Sequence, residues 1–176
     1  ITLIGGILVW LGWYGFNVGS AFTFDHIAMI SFVNTVIGAS AGAFGWLIFE
    51  YILKKTTSLL GLLSGALSGL VAITPAAGYV SYMSAMIIAI IGGICCYIVI
   101  NLIKVKLQYN DALDAFGIHG VGGILGAVLT GVFQSHQINS AVQNGFIYTA
   151  DFKVVVIQLG AAIATVVFSA IVKIGR

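Results

Sequence analysis

The chain has 176 residues, of which 60% are hydrophobic and 7% are charged, and its formal net charge is +2. Because a soluble domain carries about 25% charged residues, these polar groups are too few to cover a surface in contact with water. We therefore expect a lipid bilayer around most of the chain, and the small net charge without a basic stripe excludes a nucleic-acid partner.

Six apolar segments predict transmembrane helices, because their lengths are close to what crosses the hydrocarbon core of a bilayer. In chain order they cover residues 3–19, 26–53, 58–73, 80–103, 112–133 and 152–173. The third is followed by Pro75, which stops a helix because proline lacks the amide hydrogen. The predicted fold class is all-α integral membrane, in one domain over residues 1–176, since no long linker divides the chain.

Basic residues predict the orientation of these helices. Six of the seven lie on alternate loops or at the end of the chain: Lys54, Lys55, Lys104, Lys106, Lys173 and Arg176. The opposite loops carry Asp25, Asp151 and the single base Lys153. Because Lys and Arg are enriched on the cytoplasmic side of membrane proteins, we expect both ends of the chain to be cytoplasmic.

His119 is an ionisable residue inside the predicted fifth helix, about 10 Å from its start at residue 112. An ionisable group within the hydrocarbon indicates a functional site, and burial favours the neutral imidazole. A neutral ring offers one donor and one acceptor, which suits a small polar solute or a proton relay. The alternative that stays open is a core histidine bonded to a neighbouring helix.

Aromatic residues cluster at the outer end of the first predicted helix, where Trp10, Trp13, Tyr14 and Phe16 precede Ser20. One interpretation is an interfacial aromatic belt. The other is an aromatic mouth for a small cation, because ring faces attract cations and a nearby hydroxyl accepts a hydrogen bond from ammonium.

Acidic residues lie near two predicted helix ends. Asp111 and Asp114 have the spacing of a capping box and lie where a helix dipole favours negative charge, so we interpret them as structural. A direct role in substrate handling is the alternative for this pair. Glu50 and Lys54 are four residues apart, which predicts a surface ion pair.

Polar and small residues inside the helices predict helix packing. Asn34 and Thr35 are expected to hydrogen-bond between helices. Gly122 and Gly126 form a GxxxG pair, and small residues of this kind let helix backbones approach closely in lipid.

Catalytic and metal chemistry have little support in the sequence. Gly38, Ser40 and Gly42 fit the G-x-S-x-G pattern of a nucleophile, but this elbow needs a strand-to-helix turn, so an intramembrane serine enzyme is only an alternative. Cys95 and Cys96 are adjacent, with no His or Cys at metal-ligand spacing. We predict no enzyme, no metal site and no cofactor.

Five motifs in register resemble those of the ammonium transporter family (Amt/Mep/Rh). They are W-Y-G-F-N-V-G-S at 13–20, F-V-N-T at 32–35, S-L-L-G and S-G-A at 58–66, G-L-V, T-P-A and G-Y at 69–79, and D-A-F-G-I-H-G-V-G-G at 114–123. The resemblance implies an eleven-helix fold of two inverted repeats, of which this chain is the C-terminal half: the second repeat plus the last helix.

The resemblance also implies a function and roles for single residues. It implies transport of ammonium or ammonia through a hydrophobic pore in the plasma membrane, in a homotrimer that a P-II type regulatory protein can dock on. His119 matches a pore histidine, Phe16 a gating phenylalanine, Ser20 the outer recruitment hydroxyl and Trp13 a tryptophan near the pore wall. Histidine-assisted deprotonation would let ammonia pass and exclude potassium.

The first repeat of that fold is missing from the sequence, so we expect residues 1–176 alone not to transport. Two alternatives share the same fold: an ammonium sensor or receptor, and a neutral gas channel of the Rhesus type.

Overall fold

The computed structural model describes residues 1–174, so the predicted cytoplasmic position of Arg176 lies outside the described residues. Within them, six helices are long and apolar enough to cross a membrane. They are α1 (Thr2–Gly19), α2 (His26–Lys54), α3 (Leu59–Ala76), α4 (Tyr82–Leu107), α5 (Phe116–Phe133) and α6 (Lys153–Ile174). The predicted all-helical membrane fold is confirmed. A short helix, Phe146–Thr149, precedes α6.

Polar side chains fix where three of these helices begin. The Asp25 carboxylate accepts hydrogen bonds from the first amides of α2, and the Ser58 and Ser81 hydroxyls do the same for α3 and α4. At the other end of α3, the α-helix stops at Ile73 and a single 3₁₀ turn, Thr74–Ala76, carries the proline. The predicted stop at the proline is therefore confirmed.

The core of the molecule is a group of three helices, in which α2 packs closely against α3 and α4. Two GxxxG pairs face each other there, because Gly38 and Gly42 of α2 contact Gly65 and Gly69 of α3. Where these glycines meet, the backbones of α2 and α3 touch without any side chain between them.

Helices α1 and α6 lie at the periphery of this core. Only 11% of the membrane-spanning window of α1 and 6% of that of α6 is buried, against 61% for α3. Helix α6 packs mainly on α5, and α1 packs on α2 and α3. The exposed faces of these two helices are apolar, as a bilayer or another hydrophobic segment requires.

The start of α5 differs from the prediction. The helix begins at Phe116 rather than at residue 112, because Asp114 has a left-handed backbone with φ of 54° that cannot belong to a right-handed helix. His119 therefore lies one turn, and not two, from the start of the helix. The first turns are π-helical from Phe116 to Val121, and Val99–Ile103 in α4 is π-helical too.

Glu50 is also placed differently from the prediction. The predicted ion pair with Lys54 is present, since the two charged groups are 3.6 Å apart, but Glu50 is only 5% exposed, so its carboxylate is buried rather than at the surface. Its carboxylate accepts hydrogen bonds from the backbone amide and hydroxyl of Ser58. Glu50 thus connects the C-terminal end of α2 to the start of α3.

Candidate functional site

Trp13, Phe16 and Ser20 share one face at the C-terminal end of α1, because residues spaced by three and four positions lie above each other on a helix. Ser20 is exposed, and its hydroxyl donates to the Phe16 carbonyl at 2.7 Å. Since the proton is used in this bond, the hydroxyl oxygen presents its lone pairs outward. Such an oxygen is an acceptor for a cationic N–H group.

Trp13 connects this face of α1 to α5. Its indole ring stacks on the imidazole of His119, with ring centroids 6.0 Å apart and an angle of 18° between the planes. The edge of Phe16 meets the same indole at 6.1 Å. Phe16 and Trp13 of α1 and His119 of α5 therefore form one row of rings.

Thr74 holds the indole of Trp13 in place, and sequence reasoning missed it. The Trp13 Nε1–H group donates to the Thr74 hydroxyl at 2.8 Å, and this hydroxyl donates to the Leu70 carbonyl at 2.7 Å. In the sequence, Thr74 stands out only as part of the T-P-A motif. No local pattern could reveal a partner 61 residues away along the chain.

The imidazole of His119 is exposed in this chain and makes no side-chain hydrogen bond to residues 1–174. Within the described residues, His119 is therefore not a core histidine bonded to a neighbouring helix, which was the alternative interpretation. Beside the ring, a groove of about 530 Å³ runs between α5 and α6. Gln158, Thr165 and Ser169 of α6 line it, which the sequence analysis also missed. Their spacing along one helix face is a signal that could have found them.

The aromatic cluster at the end of α1 divides into two groups. Trp13 contacts the rings of Phe16 and His119, whereas Trp10 donates to the Tyr14 hydroxyl at 3.2 Å and Tyr14 packs on Phe32 of α2. Trp10 and Tyr14 fit the interpretation as an interfacial belt, and Trp13 and Phe16 fit the interpretation as an aromatic path. Both interpretations of the cluster therefore have residues that fit them.

Asp111 and Asp114 lie in the turn before α5, but they do not form the predicted capping box. The Asp111 carboxylate accepts from the amide of Gly117 at 3.1 Å instead. The Asp114 carboxylate is 2.6 Å from the ammonium group of Lys104 on α4. The left-handed Asp114 moves its side chain away from the position that a capping box needs.

The G-x-S-x-G pattern is a packing motif in this structure. Gly38 and Gly42 contact α3, while Ser40 is exposed and donates to the Val36 carbonyl at 3.0 Å. The groove beside Ser40 is lined by apolar side chains, among them Phe44. Among the described residues, no group of three or more His, Cys, Asp or Glu side chains could hold a metal ion.

Known proteins match both the sequence and the fold. A sequence model of the Ammonium Transporter Family matches residues 1–175. The ammonium transporter of Bacillus subtilis (strain 168) is 49% identical over 171 residues, which are 97% of this chain and 42% of that protein. The ammonium transporter of Aquifex aeolicus (strain VF5) is 42% identical over 171 residues, covering 97% and 40%.

Solved structures give the same result. The crystal structure of Saccharomyces cerevisiae Mep2 has a TM-score of 0.84 and 34% identity, covering 92% of this chain and 40% of that one. A structure described as Sensor Amt Protein has a TM-score of 0.78 and 29% identity, covering 91% and 39%. The chain thus spans about 40% of the length of these relatives. It belongs to the ammonium transporter family, whose members are multi-pass membrane transporters and not enzymes.

Proposed function

We propose that the protein containing this chain moves ammonium or ammonia across the plasma membrane, along a path past Ser20, Phe16, Trp13 and His119. The observation that carries this proposal is the stack of the Trp13 ring on His119, which continues the face of α1 into α5. The family relationship supplies the substrate class.

Recruitment takes place at the outer end of α1. The Ser20 oxygen accepts one N–H bond of ammonium, and the exposed ring of Phe16 offers a face to the cation. Passage beyond the Phe16 ring removes water from the ion. Loss of hydration is costly for a full charge, which favours separation of a proton from ammonia.

Proton transfer is the role of His119 in this mechanism. Its imidazole has a free donor and a free acceptor position toward the groove, since neither ring nitrogen bonds to residues 1–174. With a second histidine from the rest of the protein, the ring carries the proton while neutral ammonia passes. Potassium has no proton to give up and is therefore excluded.

The test is the ammonium-triggered current of the full-length protein in proteoliposomes, with and without His119→Ala. His26→Ala is the matched control, because His26 is an exposed histidine at the start of α2 and is not part of the row formed by Phe16, Trp13 and His119. We expect loss of current, or loss of selectivity over potassium, in His119→Ala alone. An unchanged, selective current in that variant would refute the role of His119.

We propose further that residues 1–176 do not transport on their own. Phe16 is 60% exposed and His119 is also exposed, so the chain provides one wall of the path and no opposite wall. The missing wall would be the first repeat of an eleven-helix fold. Ammonium uptake by reconstituted residues 1–176 well above protein-free vesicles would contradict this proposal.

Assembly and orientation are part of the same proposal. We expect both ends of the chain on the cytoplasmic side, a homotrimer, and a P-II type protein on the cytoplasmic face. Single cysteines introduced at Lys55 and at Asp151 should react with an impermeant reagent from opposite sides of the membrane. Native mass spectrometry of the purified full-length protein measures the trimer.

A sensor is the second candidate, because the chain also resembles the structure described as Sensor Amt Protein. A sensor would bind ammonium without carrying a current. Measurable ammonium binding with no current in the parent protein would favour it. Uptake without charge movement would instead favour a neutral gas channel.

A further inference from the structure

The segment that carries His119 is irregular, and it packs against a second irregular segment. Residues Phe116–Val121 of α5 and Val99–Ile103 of α4 are both π-helical. The two segments touch where the side chain of Ile100 fills the space beside Gly117. π-helical turns are rare and recur at functional sites. We therefore expect contacts that stabilise the π-helical hydrogen-bond register of Phe116–Val121.

The turn before α5 provides the bonds that hold it. The Asp111 carboxylate accepts from the amide of Gly117 at 3.1 Å, and the Asp114 carbonyl accepts from the amide of Ile118 at 2.9 Å. These are the two amides directly before His119. Asp114 itself has φ of 54°, a conformation that is unfavourable for a residue with a side chain and persists only where its surroundings stabilise it.

Lys104 binds both ends of this turn. Its ammonium group donates to the backbone carbonyl of Asp111 and to the Asp114 carboxylate, the latter at 2.6 Å. Lys104 follows directly after the irregular segment of α4, so one side chain connects the two irregular segments. With side chains 24% and 37% exposed, Lys104 and Asp114 are shielded in part from water.

We infer that Lys104 is a positioning residue for His119. Its ammonium group holds the turn from Asp111 to Asp114, this turn sets the register of the first turns of α5, and the register places the imidazole against the ring of Trp13. The contrasting role is an ordinary ion pair that only stabilises the inner end of α4. The inference depends on the proposed function only for what His119 does, since the stack with Trp13 is a matter of geometry.

The test observes the stack directly in the full-length protein labelled with 5-fluorotryptophan. The ¹⁹F resonance of Trp13 is assigned by its loss in Trp13→Phe. We expect the Trp13 resonance of the parent to differ in chemical shift from that of His119→Ala, because the stacked imidazole changes the environment of the indole ring. This readout needs no transport, so it is independent of the proposed function.

Four variants then separate positioning from simple stabilisation. Lys104→Met should move the Trp13 resonance more than half of the way to its position in His119→Ala, and Lys104→Arg should leave it near its position in the parent. Asp114→Asn, which keeps the size of the side chain, should move it in the same way as Lys104→Met and replaces that variant if it does not fold. Lys106→Met is the matched control, because Lys106 is exposed and forms no ion pair with residues 1–174.

If the Trp13 resonance of Lys104→Met stays at its position in the parent, the inference is overturned. This holds even if the thermal midpoint falls, because an ordinary ion pair would then explain the fall. An equal displacement of the Trp13 resonance in Lys106→Met would overturn the inference as well. The inference is supported if the resonance is displaced in Lys104→Met and stays at the parent position in Lys104→Arg and Lys106→Met. A parent whose Trp13 resonance differs from that of His119→Ala but which carries no current would refute the proposed transport and leave the positioning role standing.

Discussion

Replacing Gly42 by alanine should destabilise the protein severely, because Gly42 lies where α2 touches α3. A methyl group on Gly42 would lie 2.6 Å from the Gly65 carbonyl oxygen and 2.6 Å from the Gly69 nitrogen. Ordinary contact needs about 3.5 Å or more, and the obstructing atoms are backbone, so the helices would have to separate by about 1 Å. Overpacking of this kind costs about 3 kcal/mol.

The control is Gly160→Ala in α6, where an added methyl group meets nothing within 4 Å. Because alanine is the better helix former, this variant should be neutral or slightly stabilised, by less than about 1 kcal/mol. Thermal unfolding of both variants in the same detergent measures the difference. A thermal midpoint for Gly42→Ala equal to that of Gly160→Ala would show that α2 and α3 are not packed backbone to backbone.

Three further predictions concern side chains that sequence alone left undefined. Thr74→Val removes the acceptor of the Trp13 indole, so it should cost about 1 to 3 kcal/mol and lower the ammonium current, measured by unfolding and in proteoliposomes. Asn34→Leu should cost about 2 kcal/mol or more, because the Asn34 amide donates to two buried carbonyls between α3 and α4; an unfolding midpoint equal to the parent's would refute this. The hydrogen bond from Thr23 holds the pKa of the Asp25 carboxyl below its ordinary value. The ionised carboxylate therefore stabilises the folded protein fully above the ordinary aspartate pKa, and this stabilisation is lost as the pH falls through the lowered pKa of the folded state. Asp25→Asn should therefore flatten the acid side of a plot of thermal midpoint against pH.

The helices could be predicted because each is long and apolar, and some are also marked at one end by a residue with a local effect. Asp25 and Ser58 begin helices through bonds to amides two or three residues away, and Pro75 ends one through its own missing amide hydrogen. Such signals can be recognised in the sequence because the interacting residues are only a few positions apart. The predicted bond between helices is present at Thr35, whose hydroxyl accepts from Asn17 of α1, whereas the Asn34 amide donates to carbonyls of the segment between α3 and α4.

The start of α5 could not be predicted, because it depends on a contact between separate helices. The sequence from Asp111 to Asp114 has the spacing of a capping box, and local rules favour that motif. In the structure, Lys104 binds Asp114, which adopts a left-handed conformation, and the helix begins later. A residue ten positions away thus overrides the local preference.

The candidate path was found only in part for a similar reason. Single residues such as His119 stand out because an ionisable group in an apolar run is unusual. Their neighbours do not stand out, because Thr74 is an ordinary threonine until Trp13 is seen to donate to it. The row of rings is a product of tertiary packing, and it appears once α1 and α5 are placed side by side.

The arrangement of the helices separates the packed core from the candidate path. Helices α2, α3 and α4 form the closely packed core through glycine contacts, whereas the rings of the path lie on α1 and α5 at its edge. Because the path is attached to the core through a few defined bonds, such as that of Trp13 to Thr74, small changes at its edge can alter the path without unfolding the core. Gly42→Ala should therefore reduce stability and current together. Variants of Lys104 should change the position of His119 while most of the stability remains.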